Sequence, residues 1–88
     1  MKLMIAILKH EDSECVSNAL VAAQFRVTEI ASTGGFFHHG STTIMIGLSA
    51  DKVEEAIEII RNVCTTGLEP SEHRATLFVI NIAHFEQI

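Results

Sequence analysis

The hydrophobic period of this chain switches from strand-like to helix-like and back twice, and that succession limits the folds open to it. Residues 2–8 (KLMIAIL) form a nearly unbroken apolar run, the pattern of a strand buried on both faces or pressed into a tight interface. Over 11–23 the period lengthens. Val16, Ala19, Leu20 and Ala23 recur at helical spacing, while Glu14, Ser17, Asn18 and Gln24 face away. Asp12 or Ser13 can cap this helix, with acidic residues in its first turn where the dipole favours them. Residues 25–31 (FRVTEIA) are rich in strand-favouring types, with Phe25, Val27 and Glu29 on one side and Arg26, Thr28 and Ile30 on the other. A Gly-rich stretch separates them from residues 41–48 (STTIMIGL), a third strand in which Gly47 marks a bulge or a close backbone approach.

The second helical stripe is the clearer one. Val53, Ala56, Ile57, Ile60 and Cys64 share one face of residues 51–64, and Glu54, Glu55, Glu58 and Arg61 share the other. Ser49 or Asp51 caps its start, and Asp51 with Glu54 three positions on has capping-box spacing. Residues 65–73, which hold Gly67 and Pro70, form a loop; 74–82 (RATLFVINI) are a fourth strand, and 83–88 a short tail. The order β-α-β-β-α-β predicts a single α+β domain over 1–88. Its fold is ferredoxin-like: a four-stranded antiparallel sheet with both helices on one face. The other sheet face would be bare, yet its strands carry Leu, Ile, Val and Phe, so the chain is expected to self-associate.

Composition narrows the function. Apolar residues make up 48% of the 88 residues and charged ones 19%, with one Pro, enough to build a core and to exclude disorder. Six Lys and Arg against 11 Asp and Glu give a net charge of −5, and the cations are scattered. A binder of nucleic-acid polymers or anionic membranes needs a basic stripe, so neither role is expected. No apolar run is long enough to span a bilayer and the N-terminal one is too short for a signal peptide, which reads as cytoplasmic. Cys15 and Cys64 fit neither a disulfide framework nor a zinc site, and both read as small buried thiols on helical apolar positions.

The stretch FRVTEIASTGGFF (25–37), followed by STTIMIG (41–47), is more specific than the fold pattern. With MKLMIAIL at the start, DKVEE at the second helix, ATLFV in the last strand and FEQ in the tail, it resembles the cyclic di-AMP receptors of the PII-like superfamily over nearly the whole chain. The resemblance implies a homotrimer that binds a cyclic dinucleotide between subunits and passes its state to a protein partner, with no catalytic role. Carried over, it puts Arg26 and Thr28 at phosphate or ribose. Gly35, Phe36 and Phe37 would frame an adenine, with Thr33 and Gly34 in the same turn and Ser41 where the family has an Asn at the base edge. Gly47 would admit the ligand closely and Gln87 would close the site from the tail. The residue types suit this, since a guanidinium matches phosphate oxygens, a Gly-Gly turn offers backbone N–H groups and phenylalanine offers stacking surface. The chain departs from the family at Ser41, at His38-His39, at Arg74 in place of a Gly, and in its short 65–73 loop.

Other readings of these residues stay open. Phe36 and Phe37 could pack on a neighbouring subunit, Gly34 and Gly35 could serve only a positive-φ turn, and Arg26 could be solvated or paired with a carboxylate. Thr28, Ser41, Thr42 and Thr43 could be strand formers alone. His38 and His39 could hold a metal only with a third ligand from another subunit, so no metal or cofactor is expected. No nucleophile and base are paired by spacing, so no enzyme is expected. The alternative to a sensor is a homotrimeric adaptor that kept the fold and lost the nucleotide.

Overall fold

Strict alternation of buried and accessible residues along the first strand sets the architecture. In the computed structural model, which describes residues 1–32, 40–64 and 75–88, β1 (Lys2–Lys9) points Met4, Ala6 and Leu8 into the core. The elements that follow are α1 (His10–Ala22), β2 (Arg26–Ser32), β3 (Ser41–Leu48), a 3-10 turn (Ala50–Lys52), α2 (Val53–Cys64) and β4 (Ala75–Asn81). The strand order is β2-β3-β1-β4 with every neighbouring pair antiparallel, so β1 and β3 are central and β2 and β4 are edges. This is the ferredoxin-like arrangement that the periodicity predicts.

The core lies between the helices and one sheet face. Met4 pairs with Ile46 and Ala6 with Ile44 across the central ladder, and all four are fully buried against Val16 and Leu20 of α1 and Ala56 and Ile60 of α2. On the other face the apolar character persists, and no helix among the described residues covers it. Leu3, Ile5 and Met45 are half-buried, while Ile7, Phe78 and Ile80 are 37%, 51% and 47% exposed. Of the two roles open to 2–8, burial on both faces is not seen among the described residues, where only one face of β1 is fully buried.

Three local expectations are corrected. First, α1 starts directly at His10 with Lys9 as its N-cap and no side-chain cap, so neither Asp12 nor Ser13 caps it. The Ser13 hydroxyl instead donates back to the His10 carbonyl at 2.8 Å, inside the first turn. Second, the start of α2 is set by the 3-10 turn. Ser49 is its N-cap residue but makes no side-chain cap, its hydroxyl serving the Asp51 carboxylate. Third, Cys15 is exposed and only Cys64 is buried. The buried residues of α1 are Ser13, Val16 and Leu20, and Cys15 lies about 100° round the helix from Val16.

Gly47 is not a bulge. It pairs in register with Leu3 on one side and Arg26 on the other, and the ladder irregularity falls on β2 between Glu29 and Ala31. Nor does another part of the described chain approach it closely, since a Cβ built on Gly47 would meet nothing within 4 Å. The expectations for the 33–37 turn, for His38 and His39 and for the 65–73 loop lie outside the described residues.

Candidate functional site

Four of the residues singled out in the sequence meet at one corner of the uncovered sheet face. Strand alternation puts Arg26 and Thr28 on that face, opposite Gly47 and Met45 respectively. The same rows continue into β1, where Leu3 pairs with Gly47. The chain then brings its tail across. The Ile82 N–H donates to the Met1 carbonyl at 3.1 Å, just beyond the β1–β4 ladder, and directs His84, Phe85 and Gln87 over the corner.

Between the sheet corner and the tail lies a cavity of about 620 Å³, within the size range of small-molecule sites. Leu3, Met45 and Gly47 form its floor, Arg26 and Thr28 one wall, and Phe85 and Gln87 the other. The lining is largely apolar with a few convergent polar groups, the composition that lets a site bury a ring system and still orient it. Among the described residues Arg26 has no carboxylate or hydrogen-bond partner, so its guanidinium is available to an anion. His84 also lines the cavity, with Nε2 3.3 Å from the Glu86 carboxylate. Neither His84 nor Phe85 was among the sequence candidates. The tail has no period of its own; the FEQ match included Phe85 without giving it a role, and its fold-back over β1 places both residues at the cavity.

Gly47 carries the clearest geometric signal. A Cβ built on it would meet nothing within 4 Å, and its backbone is in an ordinary strand conformation. Neither packing among the described residues nor backbone geometry therefore calls for glycine, which in a strand interior is unfavourable by roughly 0.5–1 kcal/mol against alanine. The missing side chain leaves open space above the strand among the described residues.

Ser41 is placed elsewhere. It pairs with Lys9 at the opposite end of β3, six positions from Gly47, or roughly 20 Å at about 3.4 Å per residue. Thr33, Gly34, Gly35, Phe36 and Phe37 lie outside the described residues. Among the described residues no three His, Cys, Asp or Glu side chains gather as a metal site, and no helix is long and apolar enough to cross a membrane.

A family model described as cyclic-di-AMP receptor matches residues 1–69. That span includes Arg26, Thr28, Ser41 and Gly47 and stops short of Gln87. Among solved structures, the crystal structure of a functionally unknown protein from Pediococcus pentosaceus ATCC 25745 is similar at a TM-score of 0.78 and 33% sequence identity. The match covers 99% of this chain and 96% of that one.

Proposed function

The chain belongs to the cyclic-di-AMP receptor family, and from that premise we propose that it is a cytoplasmic sensor which binds cyclic di-AMP at subunit interfaces and relays its occupancy to a protein partner. A receptor is a binding and signalling protein rather than an enzyme, and the corner cavity suits binding. The observation that carries the reading is the convergence of Arg26, Thr28, Gly47 and Gln87 on one cavity whose glycine has open space above it.

The chemistry follows from the residue types. Arg26 offers a planar pair of donors to a phosphate, and Thr28, next but one on the same strand face, offers a hydroxyl to the ribose or phosphate. Leu3, Met45 and Phe85 supply apolar surface for an adenine, and the Gln87 carboxamide can pair with a base edge. The assembly is a homotrimer in which the uncovered faces of the sheets are buried. In it, the 33–37 turn and Ser41 of one subunit meet the corner cavity of the next, which accounts for the distance of Ser41 from Gly47 within one chain. Occupancy would bias the turn and tail between two arrangements, by as much as the ligand's affinity differs between them.

Isothermal titration of the purified protein with cyclic di-AMP, ATP, AMP and cyclic di-GMP tests this. The expected result is micromolar or tighter binding, near one ligand per subunit, confined to cyclic di-AMP. No heat from a folded oligomer with any of the four would replace the sensor by the adaptor reading.

A further inference from the structure

The surface dips a second time on the far side of Arg26. A cleft of about 300 Å³ is lined by Gln24, Phe25, Arg26, Gly47, Ser49 and Lys52, and it shares Arg26 and Gly47 with the corner cavity. We propose that this cleft is a continuation of the ligand site that receives a second phosphate of the ligand, with Lys52 as its cation and the Gln24 carboxamide as its neutral donor. The inference rests on the cyclic dinucleotide reading above, because a ligand with two phosphates is what two spaces sharing Arg26 and Gly47 would take.

Three observations carry it. The first is a shared lining. Both spaces are lined by Arg26 and Gly47, and a Cβ on Gly47 would meet nothing within 4 Å, so no side chain at that position separates them.

The second is the backbone at Gln24, whose φ is 75°, the one positive-φ non-glycine among the described residues. It sits in the turn that ends α1, where the Gln24 N–H donates to the Val21 carbonyl at 2.9 Å and the Phe25 N–H to the Leu20 carbonyl at 3.0 Å. Glycine is the usual residue in such a turn because a side chain is penalised there. This chain bears the penalty with a residue that lines the cleft.

The third is charge. Arg26 and Lys52 line the same small space in a chain of net charge −5. The carboxylates nearby are already engaged or loosely held. Asp51 takes the Ser49 hydroxyl, and Glu55 lies 3.6 Å from Lys52 in a half-exposed pair, which exchanges readily for a phosphate.

Titration of the wild type and of Gln24→Gly, Lys52→Met and Lys52→Arg with cyclic di-AMP, alongside thermal melts, tests the proposal. Lys52→Met should weaken binding about fivefold to tenfold, the scale of one charge-assisted contact, and flatten its salt dependence, while Lys52→Arg keeps most of the affinity. Gln24→Gly should raise the melting temperature and yet weaken binding, opposite signs that a purely structural turn residue does not produce. Wild-type affinity in both Lys52→Met and Gln24→Gly would remove the cleft from the site and leave the corner cavity standing. A wild type that binds no cyclic di-AMP would overturn the sensor reading and this extension together.

Discussion

Arg26 and Gly47 face each other directly across the β2–β3 ladder, on the sheet face that no helix among the described residues covers. The longest cation of the strand thus stands beside a position without a side chain, at the rim of a cavity that the tail closes from the other side. Gly47→Ala probes this relationship. With nothing within 4 Å of the new methyl, the variant should melt at or above the wild-type temperature. Its affinity for cyclic di-AMP should fall about tenfold or more, because the methyl occupies space the ligand needs. Paired melting and titration curves read both signs.

In the homotrimer proposed above, the uncovered face is the interface. Phe78 pairs with Ile5 on that face and is 51% exposed within one chain. Phe78→Glu would place a charge on that proposed interface, where an unpaired carboxylate is strongly disfavoured. Sedimentation velocity should show a trimer for the wild type and a monomer for the variant. A monomeric wild type would remove the interface from the account.

Ile60 anchors α2 to the sheet and is buried to 1% exposure. Ile60→Ala should destabilise the fold by about 2–5 kcal/mol, through lost transfer energy and the cavity left behind. Urea unfolding measures it, and a much smaller loss would mean that α2 settles into the space.

The Ser49 hydroxyl and the Asp51 backbone N–H, helped by the charge of Lys52, hold the Asp51 carboxyl below its ordinary value of 3.8. A group with a depressed folded-state pKa adds stability above its unfolded value and loses it as pH falls through the folded one. Asp51→Asn should therefore melt slightly lower than the wild type at pH 7, with the difference closing below pH 3.8. Because the carboxylate is solvent-exposed, the effect is small, and melts across pH 2.5–7 should show convergence at the acid end.

Cys15 and Cys64 should separate in thiol chemistry. With Cys15 exposed and Cys64 buried, an aromatic disulfide reagent should titrate one thiol rapidly in the native protein and the second only in denaturant. Equal rates would contradict the rotation of α1 described here.

Periodicity made the helices and strands legible because each buries one face, and a face has a period. Val16 with Leu20, and Ala56 with Ile60, announce the core from the sequence alone. Element ends were less readable. His10 begins α1 without any capping side chain, and the 3-10 turn before α2 depends on how Ser49 and Asp51 share a hydrogen bond. Cys15 next to Val16 reads as apolar, but only the docking of α1 says which third of its circumference is covered.

The sequence by itself determined the order of elements, the single buried sheet face and the family resemblance that singled out Arg26, Thr28, Gly47 and Gln87. Only the tertiary structure decided that those four share a cavity, that Ser41 stands at the far end of β3, and that Gln24 and Lys52 border a second cleft lined in part by Arg26 and Gly47. The physical reason is range. A hydrophobic period is written by neighbours a few residues apart, whereas a site is assembled by strand register and by a tail that crosses β1 some eighty residues after the chain begins.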